Sequence, residues 1–280
     1  MSAHTTFKIG GAADIFASVS SEEEISALIK LANKESVPYM VMGNGSNMLV
    51  GDGGIRGLVI HLGKNFSDIK TDGNLIYAKA GALMSSIAAS AAKASLTGFE
   101  TLAGIPGSLG GALYMNAGAY GGEIGAVVRN VRYIDETGEI YSVSGSECCF
   151  GYRKSIFSDG KKYIVSAELE LKTGDEKEIR AAMADYAARR SEKQPLSMPS
   201  AGSTFKRPEG YFAGSLIENA GLKGYSVGGA QVSEKHAGFV VNKGGATAED
   251  VLKLIEHIQS TVYEKSGVKL EPEVRLIGER

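Results

Sequence analysis

Two glycine-rich segments are the part of this sequence best suited to bind a ligand. The first is Gly43-Asn44-Gly45-Ser46-Asn47. The second, Gly104 to Gly125, holds eight glycines and one charged residue, Glu123. Glycine lets backbone N–H groups approach a bound anion because no side chain intervenes. We interpret the two segments as the walls around a long ligand with phosphates and a flat ring. Turns and close strand packing are the alternative interpretation.

Familiar nucleotide and hydrolase motifs do not fit. Gly43-x-Gly45 follows a predicted strand, but Met48 stands where a Rossmann fingerprint has its third glycine, and no helix pattern follows. No phosphate-binding P-loop motif occurs. The stretch Gly224-Tyr225-Ser226-Val227-Gly228 has the spacing of a nucleophile elbow, yet no helix pattern follows it, so we interpret it as a turn. The four histidines show no paired spacing, so no metal site is predicted.

The composition is that of an ordinary globular protein. The chain has 280 residues, is 43% hydrophobic and carries a net charge of −2, which is enough length for two packed cores. The absence of a long apolar run, a signal peptide pattern and a basic stripe argues against membrane insertion, export and nucleic-acid binding. Cys148 and Cys149 are adjacent, so we expect reduced thiols in a cytoplasmic protein.

The elements that would position the glycine segments alternate between strands and helices. Strands are predicted at ADIFASVS, VPYMVM, GLVIHL and LIYAKAG, and Ser21 with Glu24 predicts a capping box for the first helix. An alanine-rich helix from about Ser85 to Leu96 precedes the second glycine segment. Beyond that segment, alternation around Glu136-Thr137-Gly138 predicts a hairpin, followed by the strand YIVSAELELKTG.

The composition changes near Gly174. DEKEIRAAMADYAARRSEKQ predicts a polar helix, and LSMPSAG predicts a crossing between domains. HAGFVVN then predicts a strand, Thr247 and Asp250 cap a strongly periodic helix that ends at Gly267, and VKLEPEVRLIG predicts a final strand. The pattern indicates two domains that divide near residues 174–200.

Eight segments, in order along nearly the whole chain, resemble one family of bacterial cell-wall flavoenzymes, the UDP-N-acetylenolpyruvoylglucosamine reductases (UDP-N-acetylmuramate dehydrogenases). The segments are TTFKIGGAAD, GNGSNMLV, ETLAGIPGSLGGALYMNAGAYGGEIG, YRKSIF, SAGSTFKRP, LIENAGLKG, VSEKHAGFVVNKGGATAEDV and LEPEVRLIG. The resemblance implies an α+β protein. A two-part FAD-binding fold of the vanillyl-alcohol oxidase/p-cresol methylhydroxylase type would occupy residues 1–174, with lobes at about 1–60 and 61–174. A C-terminal α+β substrate-binding domain would occupy residues 175–280.

The resemblance also implies where the cofactor lies. Non-covalent FAD would be lined by both glycine segments, at Gly43, Asn44, Gly45, Ser46, Asn47, Ile105, Pro106, Gly107, Ser108, Gly110, Gly111, Asn116, Ala117 and Gly118. NADPH would donate a hydride to the flavin. The enolpyruvyl ether of UDP-N-acetylglucosamine would then accept that hydride at its vinyl carbon and become UDP-N-acetylmuramate, a peptidoglycan precursor.

Three residues carry the chemistry that the resemblance implies. Ser203 would protonate the carbon next to the accepting one, Arg153 would hold the carboxylate and stabilise the developing enolate, and Glu273 would assist at the same centre. Lys206 and Arg207 are candidates for the substrate phosphates, and His236 for another substrate contact. By sequence pattern alone the structural interpretations are the simpler ones: Ser203 as a turn residue, Arg153 as a surface cation and Glu273 as part of a solvated strand face.

The chain departs from the family pattern in two places. The interval between YRKSIF and AARRSEKQP is short, as in the branch that lacks a tyrosine-bearing loop over the substrate, so Arg189, Arg190 or Lys193 would have to contact the pyrophosphate. The chain also begins close to TTFKIGG, so we expect a first helix or strand to be missing through trimming. We expect a monomer without a metal, nucleic-acid or membrane partner.

Three other functions stay open from the sequence. The first is an oxygen-using flavin oxidase of the same fold. Many such enzymes attach flavin through histidine, and neither His4 nor His61 lies in a glycine segment. The second is a catalytically idle nucleotide-binding protein, against which the presence of Ser203, Arg153 and Glu273 argues. The third is a serine hydrolase at Ser226.

Overall fold

The structure is a computed structural model that describes all 280 residues. Its contacts divide the chain into two compact units. The first contains residues 1–14, 45–56 and 191–280, and the second contains residues 15–44 and 57–190. The domain division predicted at residue 174 follows sequence order, whereas in the structure two N-terminal segments pack with the C-terminal part of the chain.

The regular elements are short except for three helices. The helices are α1 (Glu22–Lys34), α2 (Met84–Lys93), α3 (Leu109–Tyr114), α4 (Glu176–Lys193), α5 (Ala213–Asn219) and α6 (Ala248–Ser266). The strands are β1 (Ala13–Ser18), β2 (Tyr39–Met42), β3 (Met48–Val50), β4 (Ile55–His61), β5 (Ile69–Asp72), β6 (Leu75–Lys79), β7 (Leu96–Thr97), β8 (Gly118–Ala119), β9 (Gly122–Glu123), β10 (Val128–Asp135), β11 (Ile140–Ser144), β12 (Lys162–Glu170), β13 (Lys172–Thr173), β14 (Ser226–Val227), β15 (Ala230–Val232), β16 (Val240–Asn242) and β17 (Arg275–Ile277).

A five-stranded antiparallel sheet forms the centre of the second unit, in the order β11-β10-β12-β6-β5. The predicted hairpin is confirmed: β10 and β11 pair from Asn130–Ser144 to Ile134–Ile140, and Gly138 takes the left-handed conformation that the turn requires (φ +86°). A three-stranded sheet, β1-β4-β2, accompanies it, with β2 and β4 parallel. These sheets are the frame on which the second glycine segment is held.

Each unit has its own hydrophobic core. The core of the second unit includes Phe66, Met84 and Phe157, all completely buried. The core of the first unit combines residues from all three of its segments, for example Phe7, Leu49 and Leu254. Residues 1–14 and 45–56 therefore supply apolar side chains without which the C-terminal segment would lack part of its core.

The helix caps follow the sequence with one correction. At α6, Thr247 and Asp250 form the predicted capping box, and Gly267 ends the helix at φ +69°. At α1, Ser21 accepts a hydrogen bond from the Glu24 N–H at 3.2 Å, but the Glu24 carboxylate accepts from the Ser20 N–H at 2.7 Å. The predicted box at α1 is therefore only half formed, because the carboxylate reaches one residue further back.

The predicted final strand is shorter than its pattern. Only Arg275–Ile277 forms a strand, β17, which pairs in parallel with β3. Residues 271–273 instead bond to the segment 204–206, at an isolated bridge between Phe205 and Pro272. Pro272 has no N–H to donate, and this interrupts regular pairing at that point.

Candidate functional site

The two glycine segments meet inside the second unit. Gly43 follows β2, Ser108 precedes α3, and a Cβ added at Gly43 would overlap the Ser108 hydroxyl oxygen. A side chain at position 43 would therefore require the Ser108 side chain to move. The Asn44 side chain donates from Nδ2 to the Pro106 carbonyl at 2.6 Å and joins the segments a second time. Segments that lie 62 residues apart in the chain thus form one surface.

Ser108 carries a buried hydroxyl that has no partner in the protein. The residue is 2% exposed, and its Oγ makes no hydrogen bond. It stands at the N-cap of α3 but caps no amide with its side chain. A buried unpaired polar group costs about 1–3 kcal/mol, so the arrangement indicates an acceptor that comes from outside the chain.

Gly111 gives a second sign of a ligand at the same place. It lies on the exposed side of α3, and a Cβ built there would meet only the Ser108 hydroxyl, at 3.8 Å. Glycine destabilises a helix by about 0.5–1 kcal/mol relative to alanine, and no protein neighbour requires it here. An unpartnered hydroxyl beside a helix surface free of side chains fits a phosphate-bearing cofactor such as FAD.

Residues 116–118, the last of the predicted cofactor residues, form hydrogen bonds within the protein. The Asn116 N–H donates to the Leu113 carbonyl at 3.4 Å and the Ala117 N–H to the Ala112 carbonyl at 2.8 Å, while Gly118 pairs with Glu123. These two N–H groups cannot also cradle a phosphate. A role for residues 116–118 at the flavin stays a prediction, and it would rest on surface contact rather than on their amides.

The rest of the first glycine segment belongs to the first unit. The N–H groups of Gly45 and Ser46 donate to no protein acceptor, as a phosphate cradle requires. Asn47 has a structural role instead, since its Nδ2 donates to the Glu273 carbonyl at 3.1 Å and its own carbonyl accepts from the Arg275 N–H at 3.0 Å. A predicted cofactor residue thus holds the backbone of a predicted catalytic one.

Ser203 is exposed at the start of an extended segment fixed from two sides. The next residue, Thr204, donates its N–H to the Gly238 carbonyl at 2.9 Å and accepts from the Glu273 N–H at 2.8 Å. Its buried hydroxyl accepts from the Val240 N–H at 2.9 Å. The structure therefore places the Ser203 and Glu273 segments side by side, although about 70 residues of sequence separate them.

The three predicted substrate residues differ in what they offer. Lys206 forms an ion pair with Glu271, so part of its charge is neutralised locally. The Arg207 guanidinium lies 4.1 Å above the ring of Phe212, an exposed aromatic side chain. His236 accepts from the Gly238 N–H through Nδ1, and burial lowers its pKa, so the neutral ring presents Nε2–H as a donor.

Arg153 belongs to the second unit. It lies in a tight turn closed by two hydrogen bonds between Gly151 and Lys154, at 2.9 and 3.1 Å, with a left-handed backbone (φ +55°). Its guanidinium is 4.9 Å from the ring of Tyr152. The structure therefore brings the Ser203 and Glu273 segments together within the first unit, and Arg153 belongs to the second.

Among the basic residues near the end of α4, Arg190 is unlike the others. Arg189 pairs with Asp185 at 2.7 Å, and Lys193 is exposed. Arg190 makes no ion pair, its buried Nε has no hydrogen-bond partner, and its side chain covers Gly104. Burial lowers the pKa of Arg190, with a smaller opposing effect from Tyr120. A desolvated guanidinium without a carboxylate suits an anionic ligand.

Sequence reasoning missed Tyr120. It lies at the tip of the β8–β9 hairpin with a left-handed backbone (φ +52°), and its ring lies 4.9 Å from that of Tyr186. A tyrosine between glycines in Gly118-Ala119-Tyr120-Gly121-Gly122 was the available signal, because a bulky residue in a glycine-rich tip is unusual.

The remaining motifs have structural explanations. Ser226 lies in β14 and donates to the Gly224 carbonyl at 3.3 Å, and the next element is β15, not a helix. The stretch is therefore not a nucleophile elbow, but the predicted turn is wrong at its centre, where Ser226 and Val227 form a short strand. No three His, Cys, Asp or Glu side chains are grouped so that they would hold a metal ion. No helix combines the length and apolar character that crossing a bilayer requires.

Two family models match the sequence. One is described as FAD binding domain and matches residues 13–144. The other is described as UDP-N-acetylenolpyruvoylglucosamine reductase, C-terminal domain, and matches residues 194–277. The first match lies within the region predicted to bind the cofactor, and the second lies within the region predicted to bind the substrate.

Similar proteins cover the chain from end to end. The UDP-N-acetylenolpyruvoylglucosamine reductase of Clostridioides difficile (strain 630) is 53% identical over 279 residues, which is 100% of this chain and 92% of that protein. The same-named protein of Clostridium perfringens (strain SM101 / Type A) is 51% identical over 278 residues, covering 99% and 91%. The crystal structure of UDP-N-acetylenolpyruvylglucosamine reductase from Thermus caldophilus superposes with a TM-score of 0.85 at 36% identity, covering 99% of this chain and 96% of that one.

Proposed function

The chain belongs to the UDP-N-acetylenolpyruvoylglucosamine reductase family, and we propose that it reduces the enolpyruvyl ether of UDP-N-acetylglucosamine to UDP-N-acetylmuramate with FAD and NADPH. The product is a precursor of peptidoglycan. The family and the α+β class with an FAD-binding part, both predicted from the sequence, are confirmed by the matches over the full chain.

One observation carries the chemical assignment: the exposed Ser203 precedes a residue that three hydrogen bonds hold in place. Thr204, the next residue, is bonded to Gly238, Val240 and Glu273. A serine hydroxyl is a weak acid, so it donates a proton usefully only where it is held at the acceptor atom in a preorganised site. This segment supplies that fixed position.

Glu273 and Arg153 supply charge of opposite sign. Glu273, next to Ser203, would orient the substrate or accept a hydrogen bond from it at the protonated centre. Arg153 would bind the substrate carboxylate with its planar fork, and its positive charge would stabilise negative charge that spreads into that group. The turn between Gly151 and Lys154 fixes the backbone that carries the Arg153 side chain. This limits the conformational entropy lost when the carboxylate binds.

The cofactor residues act through the backbone and one hydroxyl. FAD, when bound, supplies the hydride-transfer chemistry that no side chain of the protein has. Ser108 would donate its unpartnered hydroxyl to a phosphate oxygen, and Gly43 and Gly111 leave the room for it. Gly45 and Ser46 would donate their N–H groups to the same class of acceptor.

The UDP-sugar would be held by cations and neutral donors outside the reacting centre. We assign its pyrophosphate to Arg190, whose buried Nε lacks a partner, rather than to Arg189, which is paired with Asp185. Arg207 and His236 are further contacts from the first unit. Lys206 is the weakest of these assignments, because Glu271 already neutralises it.

Substitution of Ser203 by Ala tests the assignment. The variant should bind FAD and accept electrons from NADPH at the normal rate, because Ser203 acts only on the sugar nucleotide. Reoxidation of the reduced flavin by UDP-N-acetylglucosamine enolpyruvate should slow by roughly 10²–10⁴-fold, the size of a general-acid contribution. Anaerobic stopped-flow absorbance of the flavin measures both steps separately.

Substitution of Ser226 by Ala is the matched control. Ser226 is also an exposed serine, in β14, and its substitution should leave both steps unchanged. Normal reoxidation in the Ser203 variant would remove Ser203 from the acid role. Rapid reoxidation by oxygen in place of the sugar nucleotide would favour a flavin oxidase, and failure to take up FAD would favour an idle nucleotide-binding protein.

We also propose that residues 1–174 bind FAD, that residues 175–280 bind the sugar nucleotide, and that the enzyme is a cytoplasmic monomer. The matched regions 13–144 and 194–277 support the division, and the use of NADPH and a UDP-sugar supports the compartment. Light scattering after gel filtration should give the mass of a single chain, 29.4 kDa plus FAD. A doubled mass would contradict the monomer.

A further inference from the structure

Asn116 has a buried polar side chain whose three hydrogen bonds all go to other groups of the protein. It is 1% exposed and has a left-handed backbone (φ +44°), which asparagine tolerates better than most residues. Its Oδ1 accepts from the Gly125 N–H at 3.0 Å. Its Nδ2 donates to the Glu123 carboxylate at 2.8 Å and to the Gly151 carbonyl at 3.1 Å. The side-chain amide thus connects two separate segments to its own.

The bond to Gly151 reaches the turn that carries Arg153. Gly151 and Lys154 exchange two backbone hydrogen bonds across that turn, so the position of Gly151 fixes the base from which the Arg153 side chain leaves. Arg153 itself has a left-handed backbone (φ +55°), a conformation that persists only where the surroundings impose it. Asn116 provides one of those constraints from inside the protein.

Packing contacts also connect the Arg153 turn with residues 116–125. A Cβ added at Gly125 would lie 2.8 Å from the ring of Phe150 and 2.9 Å from the Asn116 Oδ1. Phe150, the residue before Gly151, is therefore pressed against the segment that Asn116 binds. Hydrogen bonding and packing both tie the start of the Arg153 turn to residues 116–125.

We infer that Asn116 is a positioning residue for Arg153: its side-chain amide holds the turn at Gly151 so that the guanidinium is aimed before the substrate carboxylate arrives. This rests on the proposed role of Arg153. It also reassigns the Asn116 side chain, which the sequence placed at FAD. Asparagine suits the position because it combines a left-handed backbone with one acceptor and two donors. Aspartate would place a like charge beside Glu123.

Four variants separate positioning from cofactor binding and from stability. Asn116→Gly keeps the left-handed backbone and removes all three side-chain bonds. Asn116→Asp keeps the acceptor for Gly125 but repels Glu123. Adding Glu123→Gln to Asn116→Asp removes that repulsion without restoring the donor to Gly151. Glu123→Gln alone is the matched control, since Gln still accepts from Asn116.

We expect Asn116→Gly and the double variant to retain a full complement of FAD and to be reduced by NADPH within about twofold of the normal rate. Reoxidation by the sugar nucleotide should slow by roughly 10- to 100-fold in both, because a misplaced charge loses its transition-state contact. The double variant should regain the thermal stability lost in Asn116→Asp without regaining that rate. Glu123→Gln should behave as the unmodified protein.

A measurement that does not depend on turnover accompanies these rates. Hydrogen exchange followed by mass spectrometry should show faster exchange of the Gly151 and Lys154 amides in Asn116→Gly, because the turn opens. Loss of FAD from Asn116→Gly with unchanged exchange would overturn the inference and return Asn116 to the cofactor. Normal reoxidation in Asn116→Gly would overturn it as well.

Arg153→Lys distinguishes failure of this inference from failure of the proposed function. Slow reoxidation in Arg153→Lys together with normal reoxidation in Asn116→Gly contradicts only the inference. Normal reoxidation in Arg153→Lys contradicts the role of Arg153 itself. In that case faster exchange in Asn116→Gly would describe a structural turn and the positioning role would be withdrawn.

Discussion

The surface around Ser108 and the segment around Ser203 differ in whether the protein itself satisfies their buried polar groups. At Ser108 the protein removes side chains, with Gly43 and Gly111 as neighbours, and leaves one hydroxyl without a partner. Around Ser203, the backbone and the buried hydroxyl of Thr204 form hydrogen bonds within the protein, and the Ser203 side chain remains exposed. The first surface is built to be completed by a ligand, whereas the second is complete and presents side chains to one.

This difference follows from what each surface has to hold. A resident cofactor can satisfy a buried donor permanently, so an unpaired hydroxyl destabilises only the cofactor-free protein. A substrate that comes and goes does so only while it is bound, as we propose for the buried Arg190 Nε. Around Ser203 the protein satisfies the neighbouring groups itself, so this segment keeps its structure between turnovers.

Substitution of Gly43 by Ala should have the largest effect at the first surface. The added methyl group overlaps the Ser108 oxygen, and such overpacking costs about 1–3 kcal/mol. We expect FAD affinity to fall by roughly 10- to 100-fold, measured by fluorescence titration of the cofactor-free protein. Unchanged affinity would mean that the segment relaxes freely and is not preformed for the cofactor.

Substitution of Ser108 by Ala should separate stability from binding. Removing an unpaired buried hydroxyl should stabilise the cofactor-free protein by up to about 1–3 kcal/mol, while FAD binds roughly 10-fold more weakly for want of a donor. Urea unfolding and FAD titration give the two values. A loss of stability without FAD would contradict the comparison, because the hydroxyl would then have a partner within the protein.

Substitution of Thr204 by Val tests the second surface. It removes the acceptor of the Val240 N–H, and the buried unpaired N–H should destabilise the protein by about 1–3 kcal/mol. Flavin reduction by NADPH should be normal and substrate-dependent reoxidation slower, since Ser203 is adjacent. Thr204→Ser keeps the acceptor and is the control. Equal stability of the Val and Ser variants would show that this bond does not hold the segment.

The smallest expected effect is on the stability of the folded protein at acidic pH. Asp250 accepts hydrogen bonds from the Thr247 and Gly229 N–H groups, and mainly the first of these lowers its pKa. The native state then binds fewer protons than an unfolded Asp with pKa about 3.9, so the stabilisation is complete above that pH and fades as the pH falls through the lower native value. Urea midpoints between about pH 2 and 7 should fall less steeply for Asp250→Asn. The same dependence of the urea midpoint on pH in both proteins would contradict a contribution of Asp250 to stability.

Local features of the fold were readable from the sequence. The hairpin at Gly138 and the cap of α6 at Thr247 depend on residues within about four positions, so spacing alone predicts them. At α1 the same reasoning was half wrong, because Ser20 competes with Ser21 for the Glu24 carboxylate. The final strand was predicted too long because alternation around Pro272 looked regular.

The sequence by itself determined the family and the cofactor class, because long motifs such as SAGSTFKRP and GIPGSLGG carry residue identities that fold and chemistry both constrain; its site residues stay predictions. Only the tertiary structure decided which groups are satisfied. The orphaned Ser108 hydroxyl, the unpaired Arg190 Nε, the Asn116 link to Gly151 and the bond from Asn47 to Glu273 all depend on which distant groups come near. The last of these joins residues 226 positions apart. Hydrogen-bond satisfaction is a property of neighbours in space, which local sequence patterns do not specify.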